Sequence, residues 1–378
     1  MFLTISITIS FVNVLSAEEP SIIAALSPYI ESHQMPGVVS ILATPNEILS
    51  IDSVGYSDIE NQKPIDENSF FWIASMSKAF GGVCVMILVE EGKLDLDAPI
   101  STYLPELSDL NVTVYQDNQT RLQKKLQNPM TLRQNLSHTA GWPFITSFQD
   151  QFGIDSLPTD KFLATLKMTG LDHEPGTKYQ YSNIGIDVAA AVVERVSGMP
   201  FEDFLQQRVF EPLEMTETTF FPNEDQIARL AKGYRSNEQQ DGLIWLSDVS
   251  YMTEPFDHPN RYAECGGGLF STPIDLIKFY QMLAGGGEFN GKRILSEESV
   301  KLISSKQTGD KSDVHYGFGL ACGDNWFGHG GAWGTNATIY KNHFVALYMV
   351  QVAGVVKQEE SIESWRKAAM NFFDDYQK

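Results

Sequence analysis

A serine and a lysine three residues apart, Ser75 and Lys78, are the first pair in this 378-residue chain that could do chemistry together. They stand at the start of an apolar stretch, 74–91, which is predicted to be a buried helix closed by Gly92. Positions i and i+3 share a helix face, so the lysine can reach the serine hydroxyl. A serine becomes a nucleophile when a base removes its proton, and apolar surroundings favour a neutral amine. A capped helix with an outward-reaching lysine is the alternative.

A second candidate pair, Tyr181 and Asn183, flanks Ser182 further along the chain. A phenol beside an ammonium can pass a proton, and an amide can hold a substrate carbonyl. The alternative is a turn that caps a helix predicted to begin near Ile184. Tyr179 is a nearby competitor, but only Tyr181 is followed by an asparagine two positions later.

The third candidate segment is His329-Gly330-Gly331, followed by Ala332, late in the chain. Glycines let the backbone approach a ligand closely, and an N–H group at a strand edge can stabilise an oxyanion. A glycine-rich hairpin turn with an incidental histidine is the alternative.

The elements that must position these residues follow from the apolar spacing. Helical spacing occupies 20–31, 74–91, 187–197, 201–209, 273–283 and 361–376. Strand-like runs occupy 38–43, 48–54, 316–322, 326–328, 338–340 and 344–352. Strands near both ends and a helical middle predict an α+β fold interrupted by a mostly helical subdomain. The stretch 236–259 is expected to be a long surface loop.

The N-terminal residues 1–17 have no charged side chain and end in small residues, which is typical of a secretory signal. The segment lacks the usual basic start, so a buried first strand or a membrane anchor remains the alternative. We expect a secreted or periplasmic protein. No membrane span is expected beyond this segment.

Composition excludes several classes of function. With 48 acidic and 27 basic residues the formal net charge is −21, which argues against binding to nucleic acid or to anionic membranes. Cys84, Cys265 and Cys322 lack metal-ligand spacing, and no H-E-x-x-H segment occurs, so no metal site is predicted. The chain has neither a G-x-S-x-G elbow nor a phosphate-binding G-x-x-x-x-G-K segment. No cofactor is expected.

Taken in order, the three segments resemble the motifs of a known superfamily. S-x-x-K, Y-x-N and H-x-G are found together in the serine β-lactamase and penicillin-binding protein superfamily, in its class C-related branch. The resemblance covers roughly residues 20–350, with further matching stretches at 92–104, 131–141, 210–216 and 266–271. It implies a β-lactamase/transpeptidase-like fold, in which an antiparallel sheet is flanked by helices. One catalytic unit, 18–378, would then have an α+β lobe (about 18–74 and 255–378) and a helical lobe (about 75–254).

The resemblance also implies roles for individual residues. Ser75 would be the acylated nucleophile, and Lys78 and Tyr181 would activate it, with the choice of base left open between them. Asn183 would hold the acyl chain of the substrate, and Gly331 and Ala332 would contribute to substrate binding. The N–H groups of Ser75 and Ala332 would form the oxyanion hole. His329 would lie beside the site.

One departure from the family pattern shapes the expected function. His329 stands where β-lactamases carry the lysine of K-T-G, so a permanent cation for a β-lactam carboxylate is missing. We therefore expect a secreted serine hydrolase that acts on esters, amides or peptides, similar to esterases and D-amino-acid peptidases. Its partner would be a small-molecule or peptide substrate. The alternatives are a β-lactamase or penicillin-binding D-Ala-D-Ala carboxypeptidase, and a catalytically weak binding or scaffold member of the same fold.

Overall fold

The computed structural model describes residues 21–117, 119–238, 242–246, 252, 256, 261–310, 312–353 and 358–378. The predicted signal segment, 1–17, lies outside these residues, as does most of the predicted loop 236–259. No helix in the described part of the chain is long and apolar enough to cross a membrane.

Sixteen strands are present in the described ranges. They are β1 (Gly37–Ala43), β2 (Ile48–Asp58), β3 (Lys63–Pro64), β4 (Phe71–Trp72), β5 (Asn111–Gln116), β6 (Arg121–Lys125), β7 (Tyr234–Ser236), β8 (Leu243–Trp245), β9 (Phe270–Ser271), β10 (Glu288–Phe289), β11 (Lys292–Arg293), β12 (Ala321–Cys322), β13 (Trp326–Gly330), β14 (Asn336–Tyr340), β15 (Val345–Met349) and β16 (Val352–Ala353). The main sheet has seven strands in the order β12-β13-β14-β15-β1-β2-β3, and each neighbouring pair is antiparallel.

Twelve α-helices accompany the strands in the same ranges. They are α1 (Ile22–Glu31), α2 (Lys78–Glu90), α3 (Leu132–Leu136), α4 (Ser147–Phe152), α5 (Thr159–Thr169), α6 (Asn183–Ser197), α7 (Phe201–Leu205), α8 (Glu211–Leu213), α9 (Glu224–Ala228), α10 (Pro273–Ala284), α11 (Glu297–Ile303) and α12 (Gln358–Tyr376). A 3₁₀ turn, Ala74–Ser77, precedes α2, and a π-helical turn, Gln206–Phe210, joins α7 to α8.

Strand β1 lies in the middle of the molecule, and all seven of its residues are buried. Val39 and Ile41 pack into the core that contains α2 and α10, while Val38 and Leu42 pack into the core beneath α1 and α12. A strand covered on both faces requires a continuous apolar run, which explains why this segment does not alternate. The predicted α+β class with an antiparallel sheet is confirmed.

Two parts of the sequence interpretation need correction. Within the predicted helical middle, β5 and β6 pair as an antiparallel hairpin that the sequence pattern did not indicate. The predicted strand 316–322 is reduced to β12, and Tyr316 makes only an isolated bridge to Ala321. The cause is Gly319, whose φ of +74° turns the chain where a Cβ would collide with the carbonyl of Lys78. Residues 316–320 therefore pack against the start of α2, and only β12 of this run joins the sheet.

Candidate active site

The turn before α2 presents Ser75 between two buried neighbours, Ala74 and Met76. Ala74 has a φ of +47°, a left-handed conformation that costs a non-glycine residue about 1–3 kcal/mol. Ser77 holds the turn in place: its hydroxyl donates to the carbonyl of Ala74 (2.6 Å) and accepts from the N–H of Leu269 (3.1 Å). The surrounding fold thus enforces the conformation that leaves Ser75 half-buried.

Lys78 is completely buried, and its ammonium uses all three of its donors. Its Nζ lies 3.0 Å from Ser75 Oγ and 2.8 Å from Asn183 Oδ1, and it also donates to the carbonyl of Gly266. The lysine–serine contact expected from the i, i+3 spacing is present. The other two contacts come from distant parts of the chain and fix the direction in which the ammonium points.

Asn183 is the first residue of α6, behind the N-cap Ser182, whose hydroxyl accepts from the Gly185 N–H. Its buried amide is engaged at both ends, because Oδ1 accepts from Lys78 and Nδ2 donates to Glu264 Oε1 (3.1 Å). The amide therefore orients the lysine in this structure. Binding of the acyl chain by Asn183 stays a prediction.

Tyr181 brings its ring to the same cluster. Lys78 Nζ lies 4.7 Å from the ring centroid, a distance typical of a cation–π contact. The ring also packs against His138, with centroids 4.5 Å apart, and lies nearly parallel to Phe144 at 6.1 Å. The structure thus places Ser75, Lys78 and Tyr181 in one group. The choice of base between Lys78 and Tyr181 stays open.

His329, on β13, has a defined tautomer. Its Nδ1 lies 2.6 Å from the carbonyl oxygen of Gly330, which can only accept, so Nδ1 carries the proton. Its Nε2, 2.9 Å from the hydroxyl of Tyr316, is then the acceptor of the phenol O–H. Burial, together with the nearby charge of Lys78, lowers the pKa of His329 to about 3. The imidazole is therefore neutral and cannot replace a permanent cation.

The turn after β13 touches the nucleophile turn directly. The N–H of Gly331 donates to the carbonyl of Thr335 (2.7 Å), and a Cβ on Gly331 would lie only 2.6 Å from the carbonyl oxygen of Ile73. Ala332 is exposed, and its N–H meets no acceptor among the described residues. This N–H is available to a ligand, and its role in an oxyanion hole stays a prediction.

His138 and Tyr316 complete the neutral side of the site. The backbone of His138 is left-handed (φ +59°), and its Nδ1 accepts from the N–H of Ser182 at 3.3 Å. Its ring lies 4.6 Å from that of Tyr316, and burial holds its pKa well below the usual range. The sequence motifs did not single out Tyr316, since none of them includes it.

Sequence reasoning also missed two buried carboxyl groups, Glu264 and Asp187. Glu264 accepts from Asn183, and Asp187 Oδ1 accepts from the N–H of Gly266 at 3.0 Å. Burial raises the pKa of both carboxyls. The partners are about 80 positions apart in sequence, so no local pattern could have indicated the contacts.

The described residues contain no group of three or more His, Cys, Asp and Glu side chains that could hold a metal ion. The three cysteines are buried and unpaired by disulfides.

Comparison with known proteins agrees with the motifs and the fold. The family model described as Beta-lactamase matches residues 22–370. The chain belongs to the Beta-lactamase family. The predicted resemblance to the β-lactamase and penicillin-binding protein superfamily is thereby confirmed.

Several known proteins are similar to this chain over most of its length. Protein Rv1367c of Mycobacterium tuberculosis strain H37Rv is 33% identical over 315 residues, which cover 81% of this chain and 76% of that protein. Lovastatin esterase of Penicillium rubens is 29% identical over 269 residues, covering 69% of this chain and 65% of the esterase. The solved structure of EstCE1, a hydrolase with promiscuous acyltransferase activity, shares the fold: its TM-score is 0.75 at 21% identity, over 92% of this chain and 97% of EstCE1.

Proposed function

We propose that this chain, a serine hydrolase of the Beta-lactamase family, cleaves esters or amides of uncharged acyl groups through an acyl-enzyme on Ser75. The observation that carries the proposal is the 3.0 Å contact between Ser75 Oγ and the fully buried Lys78 Nζ. A buried amine within hydrogen-bond reach of a half-exposed hydroxyl is the arrangement that a nucleophilic serine requires.

The proposed reaction has two steps. In the first, Ser75 Oγ attacks the substrate carbonyl while its proton passes to the Lys78–Tyr181 pair, and the oxyanion accepts from the N–H groups of Ser75 and Ala332. The leaving alcohol or amine takes that proton as the scissile bond breaks, which leaves an ester on Ser75. In the second step water attacks this ester, and its proton returns to Ser75 Oγ through the same pair.

The neutral His329 supports a preference for substrates without a carboxylate at this position. Its neighbours Tyr316 and His138 add no positive charge, because burial keeps His138 neutral as well. The net charge of −21 acts in the same direction at long range. A β-lactam or a D-Ala-D-Ala peptide carries such a carboxylate, so these alternatives are disfavoured.

An exposed aromatic ring supports the same conclusion. Phe144 is exposed, and its ring lies nearly parallel to that of Tyr181 with centroids 6.1 Å apart. An exposed aromatic ring next to a reactive centre favours an apolar acyl or alcohol group. The activity named for lovastatin esterase supports esters over amides as the first substrates to test.

The proposed cellular setting is outside the cytosol, with residues 1–17 as the export signal and a small-molecule or peptide substrate as the partner. The support is the uncharged, mostly apolar composition of that segment. Cell fractionation of the full chain and of a chain that begins at Glu18 tests the proposal. Equal distribution of the two proteins would contradict it.

A fluorophosphonate probe tests the enzyme proposal on the folded protein. We expect labelling at Ser75, and turnover of p-nitrophenyl butyrate that exceeds turnover of a D-amino-acid p-nitroanilide and of nitrocefin. Ser75→Ala should abolish label and turnover and keep the thermal midpoint within a few degrees, because the side chain is half-exposed. Ser27→Ala, which changes a half-buried serine of α1, is the matched control.

Two results would overturn this proposal. Absence of label on the folded parent protein would favour the catalytically weak binding member. Nitrocefin turnover above ester turnover would favour a β-lactamase.

A further inference from the structure

The ammonium of Lys78 is held by two protein acceptors besides Ser75, and each of these is held in turn by a buried carboxyl group. We propose that Glu264 and Asp187 form a carboxyl pair that shares one proton and positions Lys78 for the reaction at Ser75. The inference rests on the proposed function, because it concerns how the same nucleophile is activated. Both acids are positioning residues, since they act through Asn183 and Gly266.

Glu264 sets the orientation of the Asn183 amide. Lys78 Nζ can only donate, so the amide must offer its oxygen to the lysine and its NH₂ group to Glu264 Oε1. If the amide were rotated by half a turn, it would bring NH₂ against NH₃⁺. The carboxyl of Glu264 thus favours the orientation in which Asn183 accepts from Lys78.

Asp187 fixes the backbone at Gly266. Its Oδ1 accepts from the Gly266 N–H at 3.0 Å, while the carbonyl of the same residue accepts from Lys78. The segment is tightly enclosed: a Cβ on Gly266 would lie 2.5 Å from Glu264 Oε1 and 2.8 Å from Asn183. Only glycine fits between the carboxyl pair and the lysine at this position.

The pair is expected to hold a single proton because its two carboxyl groups are adjacent and buried. Both carboxyl groups are buried and lie in hydrogen-bond contact, and Glu264 Oε2 meets no N–H or O–H donor in the described part of the chain. Two adjacent carboxylates cannot both ionise in such a place. A proton on Glu264 Oε2, donated to Asp187, satisfies both oxygens. The pair then carries one negative charge, which balances the positive charge of Lys78.

Other ionisable groups around the pair do not alter this balance. The hydroxyl of Tyr262 lies 3.5 Å from Asp187 Oδ2, and burial holds the pKa of this phenol well above its usual range, so it stays neutral. The buried Arg261 forms an ion pair with Asp155 at 2.6 Å, which cancels both of those charges. Within the described residues, Lys78 is then the cation that faces the carboxyl pair.

Three variants distinguish the effect of the hydrogen-bond geometry of the carboxyl pair from the effect of its negative charge. Glu264→Gln keeps both contacts, because the amide oxygen can accept from Asn183 and the NH₂ group can donate to Asp187. Glu264→Leu removes both contacts. The double variant Glu264→Gln/Asp187→Asn keeps the shape and removes the negative charge. Glu194→Leu is the matched control. Glu194 is a half-buried carboxyl on α6, the helix that also carries Asp187, and it accepts from the N–H of Phe201 at the start of α7.

Steady-state kinetics on p-nitrophenyl butyrate and the fluorophosphonate labelling rate are measured for each folded variant. We expect Glu264→Leu to lose about 100-fold in kcat with KM within about threefold, because misplacing a reacting group by about 1 Å costs that much. Glu264→Gln should stay within about threefold of the parent. Glu194→Leu should lower the thermal midpoint and leave kcat unchanged.

The pH profile of kcat/KM distinguishes positioning from simple packing. Glu264→Gln should leave the acid limb where it is, because the pair keeps its charge. The double variant should move that limb to lower pH by about one unit, since a nearby negative charge favours protonated groups. A purely structural role would leave the limb in place in both variants.

The inference is overturned if Glu264→Leu retains kcat within threefold, if Glu264→Gln is as impaired as Glu264→Leu, or if the acid limb of the double variant does not move. Should Glu264→Leu fail to fold, the two isosteric variants still decide between the outcomes. An unlabelled, inactive parent protein would instead refute the proposed function itself.

Discussion

The two sides of the candidate active site differ in how they handle charge. One side, built by α2, α6 and the segment around Gly266, buries Lys78 against the Glu264–Asp187 pair. The other side, built by β13 and its neighbours, surrounds His329 with hydrogen-bonded, uncharged groups.

This difference separates two tasks. In the proposed reaction, the charge that takes part in proton transfer is confined to the interior, next to the Glu264–Asp187 pair. The side with His329 has fixed hydrogen bonds and no formal charge, so it can select substrates without contributing a competing proton site.

Replacing the buried cation should have the largest effect. We expect Lys78→Met to lower kcat/KM for p-nitrophenyl butyrate at least about 10³-fold, because the lysine of the Lys78–Tyr181 pair and its fixed contact with Ser75 are both lost. It should also lower the free energy of unfolding by about 3 kcal/mol, since the carboxyl pair loses its counter-charge. Urea denaturation and steady-state kinetics measure the two effects.

Lys93→Met provides the comparison for that variant. Lys93 is an exposed lysine that pairs with Glu91 at 2.8 Å, and its replacement should change stability by no more than about 0.5 kcal/mol. Equal stability of the Lys78 and Lys93 variants would refute the charge balance described for the interior.

Adding a cation to the neutral side should change selectivity. We expect His329→Lys to raise the ratio of nitrocefin to p-nitrophenyl butyrate turnover by about tenfold, because an ammonium there can pair with a substrate carboxylate. The exposed substitution His33→Lys adds the same charge far from the site and should leave the ratio unchanged. If His329→Lys also leaves it unchanged, the neutral histidine does not determine selectivity.

The two sides should respond to pH with opposite sign. Burial lowers the pKa of His329 from 6.5 to about 3 in the folded protein, so its contribution to stability is lost as the pH falls between these values. The raised pKa of Glu264 acts oppositely, and its contribution is lost as the pH rises above the carboxyl's unfolded value.

Denaturation of His329→Gln and Glu264→Gln between pH 4.5 and 7.5 measures these contributions. We expect each variant to change the slope of unfolding free energy against pH by up to about 1.4 kcal/mol per unit, in opposite directions. A shared direction would show that one of the two protonation assignments is wrong.

The smallest expected effect concerns the phenol that satisfies His329. Tyr316→Phe leaves Nε2 of the imidazole without its donor and should cost about 1–2 kcal/mol of stability. Tyr280→Phe is the matched control, because the buried hydroxyl of Tyr280 has no partner among the described residues and its removal should cost nothing. Thermal denaturation of both variants checks the difference, and equal losses would contradict it.

The sequence predicts the parts of the site that depend on local spacing. Ser75 and Lys78 meet because they are one helical turn apart, and Ser182 caps α6 next to Tyr181, as the pattern around that segment indicates. The three motifs also lie in separate segments that the fold brings together, which the family resemblance implies.

The remaining parts of the site depend on long-range packing and could not be predicted. No local sequence pattern indicates that Glu264 and Asp187 are buried. Charged residues are ordinarily exposed, and the hydrogen-bond partners of these two acids are distant in sequence. The prediction of a strand over all of 316–322 is wrong for a similar reason. Apolar residues before β12 pack on α2, and Gly319 turns the chain before β12 joins the sheet. The same deviation puts Tyr316 within reach of His329.

The three contacts of Lys78 also constrain how the chain reaches its native state. Its partners Asn183 and Gly266 lie 105 and 188 positions further along the chain. Contacts of such separation cost more loop-closure entropy than contacts within a helix, so we expect them to form late in folding. Refolding protein should regain helical signal well before Ser75 becomes reactive, and the rate at which a labelled serine appears then measures that late step.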